Sequence, residues 1–324
     1  MDAKKRIVVA GARGVFGSLL VEELRGEYEV IATTRETLNL NDVGAVANAA
    51  KGAFAFACCA GPFQPLDRRI VRAVVNEGAH WLDIADDANW FFDLIDDREL
   101  DALARERHVV VMPGLSSLPA ISCALVHKLH AKRADITLFI GNDNRKGAGA
   151  IASGAALNAP DRELLRREGI EATVRARFEL PGATLAMRAL SMLPLTTRVK
   201  LAKTLSKLIP RFGRSGGWVE VNGVRIEGGQ RLAILPLVFA LRVIPSRRSE
   251  AEDGRGIPRL RSVHGVPAGD PSTPLRSAQD DTAQNDTSRP TSLTGCLPPT
   301  HLDPEALLDF VACRAADSTS SSSP

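Results

Sequence analysis

Short apolar runs alternate with amphipathic segments through roughly the first 115 residues of the chain. Runs such as Ile7–Ala10 carry no polar residue, which is typical of strands covered on both faces. Val15–Arg25 instead places its apolar residues at helical spacing, and Gly26 is predicted to end that helix. This alternation predicts an α/β fold with a doubly wound parallel sheet. The six predicted strands are residues 7–10, 29–34, 38–40, 54–59, 80–84 and 109–112.

The pattern changes beyond Ala120. Ile121–Leu129 is predicted to be a helix that leads into a second domain. Val219–Ile226 alternates apolar and polar residues around Asn222-Gly223, which is a strong hairpin signal. Antiparallel strands mixed with helices predict a second, α+β domain, which is expected to shape the substrate site.

Residues from about 245 to 299 are rich in Pro, Ser, Thr, Asp and Arg and show no sustained apolar period. Such a composition buries too little surface to offset its ordering entropy, so a largely disordered C-terminal segment is predicted. A short helix follows near 303–312, with Asp303 as its N-cap and Pro304 in its first turn. The predicted domains are residues 1–125, 126–244 and 245–324.

Composition excludes several classes of protein. The net charge of +3 and the aromatic content of 5% give no indication of a nucleic-acid partner. The five cysteines have no repeated spacing, which favours reduced, buried thiols over disulfides or a metal site. The longest apolar stretch, Leu232–Ile244, is about half a bilayer span, and the few residues before the first strand are not expected to form a signal peptide. The chain is therefore predicted to be cytoplasmic, without a membrane partner.

The turn after the first strand reads Gly11-Ala12-Arg13-Gly14-Val15-Phe16-Gly17. In a Rossmann-type domain such glycines permit a tight turn, a close approach of the backbone to a pyrophosphate, and packing of the helix on the sheet. The helix N-terminus then binds the phosphates. The spacing alone is weak evidence, but a buried strand before it and a helix after it favour a dinucleotide site. The predicted cofactor-binding residues are Gly11, Arg13, Gly14, Phe16, Gly17, Thr34, Arg35, Asp42, Ala60 and Gly61.

The end of the second strand favours NADP over NAD. An NAD site commonly offers an acidic residue there, whereas this chain reads Thr33-Thr34-Arg35. A guanidinium suits a 2′-phosphate, and Arg13 is placed to assist it. Glu36, one residue later, argues for NAD, and an ordinary exposed arginine is the alternative reading of Arg35.

Several segments together resemble the saccharopine dehydrogenase-like oxidoreductases. Besides the glycine loop, they are Cys59–Gln64, Gly78–Asp87 and Pro113–Ala120. The resemblance implies an NAD(P)-binding Rossmann domain with an α+β domain inserted or appended, and a homodimer. The chain reads Ala85-Asp86-Asp87 where many relatives have a Thr-Gly-Glu-like ending, so the family name does not establish the substrate.

Two C-terminal segments, Gly295–Pro298 and Leu302–Val311, also resemble the end of that family. The residues before them do not resemble its late strands. One hypothesis is therefore that residues 246–294 are an altered or out-of-frame stretch between genuine segments.

Two oxidoreductase mechanisms are disfavoured because the chain lacks suitably placed residues for them. A short-chain dehydrogenase needs a Tyr-x-x-x-Lys pair, but Tyr28 is the only tyrosine and has no lysine four residues on. A cysteine nucleophile is disfavoured because Cys58 and Cys59 lie in a buried strand. The remaining prediction is hydride transfer between NADP(H) and a small carbonyl, imine or enone substrate.

Asp83 and Asp86 are the predicted catalytic acids, because they fall at the carboxyl end of the fifth strand. Loop or helix-cap carboxylates are the alternative reading of both. Ser116 and Ser117 are further candidates for donors to substrate or cofactor. An NADP-binding redox sensor, or an inactive enzyme remnant, remains the alternative function.

Overall fold

The computed structural model describes residues 4–141, 151, 158–179, 182–208, 216–244 and 294–320. As far as residue 128 its elements are β1 (Arg6–Ala10), α1 (Val15–Leu24), β2 (Glu29–Thr33), α2 (Val43–Ala50), β3 (Ala55–Cys58), α3 (Arg69–Asn76), β4 (His80–Asp83), α4 (Ala88–Ile95), α5 (Arg98–Glu106), β5 (Val110–Met112) and α6 (Ser122–Lys128). From residue 133 they are β6 (Arg133–Ile140), α7 (Asp161–Arg167), β7 (Glu171–Phe178), α8 (Ala183–Ser191), α9 (Leu195–Leu208), β8 (Trp218–Val221), β9 (Val224–Glu227), α10 (Leu235–Val243), β10 (Gly295–Cys296) and α11 (Pro304–Ser320).

The first sheet has six parallel strands in the order β2-β1-β3-β4-β5-β10. β3, β4 and β5 are buried along their whole length, as the continuous apolar runs of β3 and β5 predict, and in β4 the burial includes the polar residues His80 and Asp83. The strand order reverses at β1, which pairs with β2 on one side and β3 on the other. In such sheets ligands bind in the crevice outside the carboxyl ends of the strands at the reversal, here those of β1 and β3. The α/β, Rossmann-type prediction is confirmed.

The predicted strand at residues 38–40 is wrong. The chain turns directly after β2, because the amides of Thr37 and Leu38 both donate to the Thr34 carbonyl oxygen, at 3.1 and 2.8 Å. The Thr37 hydroxyl closes the same turn by accepting from the Thr34 amide at 2.8 Å. Residues 38–40 therefore pair with no described strand, and β2 is the edge of the sheet.

The second sheet is mixed, with four strands in the order β7-β6-β8-β9. β6 and β7 are parallel, whereas β8 and β9 form the predicted hairpin at Asn222-Gly223. Both turn residues have positive φ, +50° and +84°, as the favoured two-residue hairpin turn requires. The prediction of a second α+β unit is confirmed in its architecture.

The C-terminal residues return to the first sheet. β10 pairs with β5, and α11 begins at Pro304 but runs to Ser320, beyond the predicted end at 312. Arg231 and Arg314 both form ion pairs with the buried Glu23 of α1, at 3.3 and 3.0 Å. The predicted disorder up to about residue 299 is wrong for residues 294–299, which contain β10. Residues 245–293, and with them nearly all of the 246–294 stretch, lie outside the described residues. Within the described ranges, no helix is both long enough and apolar enough to cross a bilayer.

Candidate functional site

A cleft of about 1440 Å³ lies between the carboxyl edge of the first sheet and the second sheet. The turn after β1, the turn after β2 and the segment after β3 supply its N-terminal wall. Of the predicted cofactor residues, this wall contains all but two: Gly11, Arg13, Gly14, Phe16, Thr34, Arg35, Ala60 and Gly61. The strand-order reversal therefore brings together residues that are up to about fifty positions apart in the chain.

In the N-terminal wall, the glycine turn allows neighbouring backbone segments to pack closely against each other. Gly11 has a φ of +80°, and a Cβ there would lie 3.0 Å from the backbone of Ala60. A Cβ on Gly17 would overlap the carbonyl oxygen of Gly11. Gly17 does not line the cleft, and its close approach to Gly11 agrees with the predicted role of this glycine in packing the helix on the sheet.

The N-terminus of α1 opens toward the glycine turn without a competing carboxylate. Gly14 is the N-cap and offers no side chain to the first amides, and the first turn of the helix contains no acidic residue. The free amides and the positive end of the helix dipole favour a bound anion. These features fit the pyrophosphate of a dinucleotide.

The turn after β2 carries two arginines and one carboxylate. Arg13 and Glu36 lie 3.8 Å apart, and both side chains are largely exposed. The Thr34 hydroxyl donates to Glu36 Oε2 at 2.6 Å, and this hydrogen bond is the main cause that lowers the pKa of Glu36. Ion pairs between exposed side chains contribute little to stability, so this contact does not prevent Arg13 from binding a phosphate.

Asp42 does not line the cleft. It is the N-cap of α2, and its carboxylate accepts from the amide of Ala45 at 2.9 Å. The neighbouring Asn41 lines the cleft instead. The structure therefore does not bring Asp42 to the cleft, where the predicted cofactor residues Thr34 and Arg35 lie.

Asp83 is a structural carboxylate and is wholly buried. Its Oδ2 accepts from the indole nitrogens of Trp81 and Trp90 at 2.8 and 2.9 Å, and its Oδ1 from the amides of Ala85 and Gly114 at 2.9 and 3.0 Å. Burial raises the pKa of Asp83, and the four hydrogen bonds oppose that rise. Since Asp83 does not line the cleft, the structure does not bring this predicted catalytic acid to the substrate.

Asp86 does line the cleft. Its side chain is half-buried, between the end of β4 and the Asp87 N-cap of α4. Loss of hydration raises the pKa of Asp86 to about 6, and the charge of Asp87 contributes to the rise. Ser116 and Ser117 also line the cleft. Asp86 is thus the carboxyl group that the structure places where a proton can be exchanged with a bound molecule.

A second buried carboxyl group lies near Asp86 and has no counterpart in the sequence analysis. Asp161 begins α7, is fully buried, and contacts the hydroxyl of Ser122 through Oδ1. The same hydroxyl donates to the Pro119 carbonyl oxygen at 3.1 Å. A hydroxyl has one hydrogen, so both contacts are hydrogen bonds only when Asp161 is protonated and donates to Ser122. Burial raises the pKa of Asp161 to about 7, with the charge of Asp86 as a further contribution.

The described lining of the cleft contains no Tyr, Lys or His, and its one cysteine is Cys59. The Tyr28 hydroxyl donates to the Leu241 carbonyl oxygen at 3.3 Å, away from the cleft. Burial raises the pKa of Cys58 to about 12 and that of Cys59 well above its usual range, so neither thiol is ionised near neutral pH. Among the described residues no cluster of three or more His, Cys, Asp or Glu could hold a metal ion.

No protein-family model and no curated protein matches the chain. Saccharopine dehydrogenase from Saccharomyces cerevisiae matches in structure with a TM-score of 0.34 and 11% identity, over 46% of this chain and 40% of that one. DAP dehydrogenase from C. glutamicum matches with a TM-score of 0.33 and 13% identity, over 56% and 74% of the two chains. dTDP-4-dehydrorhamnose reductase from Bacillus anthracis, in complex with NADP, has a TM-score of 0.26 and 14% identity, over 53% and 74%. Likenesses this distant say nothing about the activity of this chain.

Asp83→Asn is expected to destabilise the protein by about 3 kcal/mol, because the new amide group faces N–H donors that have lost their acceptor. The measurement is urea unfolding. Trp90→Phe removes one donor and leaves the carboxylate, so it provides the milder comparison at about 1 kcal/mol beyond any packing loss. Equal stability of Asp83→Asn and the wild type would contradict the structural role.

Asp161→Asn is expected to remove a pH dependence of stability. The pKa of Asp161 is raised from 3.8 to about 7 in the folded protein. The protonated carboxyl group therefore contributes its full share to the free energy of unfolding below about pH 4, and this contribution is lost as pH rises through about 7. Between these two pH values the free energy of unfolding of the wild type should fall by up to about 4 kcal/mol relative to that of the variant. The variant does not show this fall because its asparagine amide donates to Ser122 at every pH. Urea unfolding across this range measures the difference, and parallel curves for the two proteins would refute the assignment.

Proposed function

We propose that the chain is an NADP(H)-dependent oxidoreductase that acts on a carbonyl, imine or enone. The observation that carries the proposal is the single cleft that holds the glycine turn, the two arginines Arg13 and Arg35, and the half-buried Asp86. Each part has its own chemical use, and their convergence on one cavity is what a hydride-transfer site requires.

The glycine turn and the start of α1 are proposed to hold the pyrophosphate. Gly11 and Gly14 present backbone without side chains, and Ala60-Gly61 closes the other side of the turn. Arg13 and Arg35 are proposed to bind the 2′-phosphate, as guanidinium groups form charge-assisted hydrogen bonds with phosphate oxygens. Glu36 opposes that binding through its own charge and through its ion pair with Arg13.

A nicotinamide cofactor supplies a hydride, with its electron pair, to a carbonyl or imine carbon or to the β-carbon of an enone. Asp86 is proposed to deliver the matching proton in the direction of reduction and to accept it in oxidation. Its pKa of about 6 keeps both protonation states accessible near neutral pH. Ser116 and Ser117 are proposed to orient the substrate oxygen, since both hydroxyl-bearing residues line the cleft beside Asp86.

Binding without turnover is the second candidate. It is favoured by the described lining of the cleft, which offers one half-buried carboxyl group and no Tyr, Lys or His. Absorbance at the nicotinamide band, followed with a panel of ketones, imines and enones, separates the two functions. Tight NADPH binding without oxidation by any member of the panel would favour the sensor.

Arg35→Ala should weaken NADPH binding by at least about tenfold and NADH binding by less than about twofold, because a charge-assisted bond to the 2′-phosphate is lost. Glu36→Gln is the matched variant, and it is expected to have the opposite effect on NADPH binding. It should tighten NADPH binding by about threefold, because a nearby negative charge is removed. Fluorescence titration with both cofactors measures each effect. An equal loss for NADPH and NADH in Arg35→Ala, or no loss, would contradict the assignment.

Asp86→Asn should lower kcat for reduction by about 100-fold while changing the Kd for NADPH by less than about twofold, because a proton donor is lost and the phosphate contacts are kept. In the wild type, kcat for reduction should fall as pH rises through about 6, where Asp86 loses its proton. Asp42→Asn is the control, since this carboxylate caps a helix outside the cleft. An unchanged kcat in Asp86→Asn would remove Asp86 from the mechanism.

A further inference from the structure

The two walls of the cleft differ in charge. The four Arg, Lys, Asp and Glu side chains of the described lining are Arg13, Arg35, Glu36 and Asp86, and all four come from segments that follow strands of the first sheet. From residue 138 onward every described lining residue is apolar or glycine, except Gln230. Among the residues that the structure describes, this second part of the lining therefore offers no counter-ion to a charged ligand.

The apolar half is built by the alternation of side chains in β6 and β7. Leu138 and Ile140 pair with Ala176 and Phe178, so these four residues share one face of the second sheet. Charged residues occupy the other face of β7, where Arg175 and Arg177 are exposed. Neither arginine belongs to the described lining of the cleft, although Phe139, which pairs with Arg177 on that face, does.

Helix α8 completes this surface. Met187 and Leu190 of α8 line the cleft, as does Ala186, which is exposed. We name the set Leu138, Ile140, Ala176, Phe178, Met187 and Leu190 the apolar wall. Five of its six members are only partly buried, so apolar surface is left open to the cavity.

The cavity is too large for one small molecule. Pockets for drug-sized ligands measure about 300–1,000 Å³, and the whole cleft has about 1440 Å³. A dinucleotide at the N-terminal wall leaves the apolar wall for a second molecule. A dicarboxylic amino acid there would bring several charges against a surface without partners, which is strongly unfavourable.

We propose that the apolar wall binds an extended aliphatic chain, so that the substrate is a long-chain molecule whose single reactive carbonyl, imine or enone lies beside Asp86 and Ser116. This rests on the proposed function for the identity of the reaction, but the binding of the chain is a separate property of the second sheet and α8. The polar end of the substrate then contacts the polar residues that follow the strands of the first sheet, and its aliphatic chain displaces water from the apolar wall.

The test is a binding experiment with the full chain. N-phenyl-1-naphthylamine, a neutral dye that fluoresces in apolar sites, is titrated into the protein and then displaced with 2-alkanones of increasing length. Displacement should become tighter by up to about fourfold for each added methylene, as expected for a fully buried CH₂. The same protein is titrated separately with NADPH.

Two variants place a charge on the apolar surface. Ala176→Asp changes the apolar wall itself, and Ala186→Asp changes an exposed helical position beside it that should not affect folding. Each should weaken dye and long-alkanone binding by at least about tenfold and leave the Kd for NADPH within about twofold. Arg177→Asp is the matched control on the opposite face of β7, and it should bind the dye as the wild type does.

The outcomes separate the two proposals. Chain-length-dependent displacement that is lost in Ala176→Asp and Ala186→Asp supports the inference, even if NADPH does not bind and the proposed function fails. NADPH binding by a protein that shows no chain-length dependence, or unchanged dye binding in Ala186→Asp, overturns the inference and leaves the proposed function standing.

Discussion

The buried carboxylate of Asp83 joins three parts of the first domain at one point. It accepts hydrogen bonds from Trp81 of β4, from Trp90 of α4 and from the Gly114 amide after β5. Asp86 follows three residues after Asp83, and Ser116 follows two residues after Gly114. The positions of the proposed proton donor and of the serine loop therefore depend on a group that itself never meets the substrate. A buried carboxylate is stable in this position only because both oxygens are fully hydrogen-bonded.

The hydrogen bonds of Asp83 also explain why this residue, one of the two predicted catalytic acids, does not line the cleft. Asp83 and Asp86 both lie at the end of β4, and sequence position does not say which of them points into the crevice. The tryptophans two residues before and seven residues after Asp83 were a usable signal, since buried indole N–H groups need acceptors. For the glycine turn, by contrast, local sequence was sufficient, because φ and close packing are set by residues within the same turn.

Long-range contacts account for what sequence patterns missed. Asp161 meets Ser122 across 39 positions, and nothing near either residue indicates that the two touch. The apolar wall joins β6, β7 and α8, whose side chains look like ordinary core residues in the sequence. The strand predicted at residues 38–40 failed for a local reason, since Thr34 and Thr37 close a turn that apolar periodicity does not detect. The return of β10 to the first sheet depends on pairing with β5, which lies more than 180 residues earlier.

The N-terminal wall is proposed to bind NADP(H), with a preference set by Arg13 and Arg35. Calorimetric titration of the full chain with NADPH, and separately with NADH, tests this proposal most directly. We expect one binding site per chain and a Kd for NADPH at least about tenfold lower than that for NADH. Equal affinity for the two cofactors would contradict the role of the arginines, and the absence of binding by either would contradict the dinucleotide site itself.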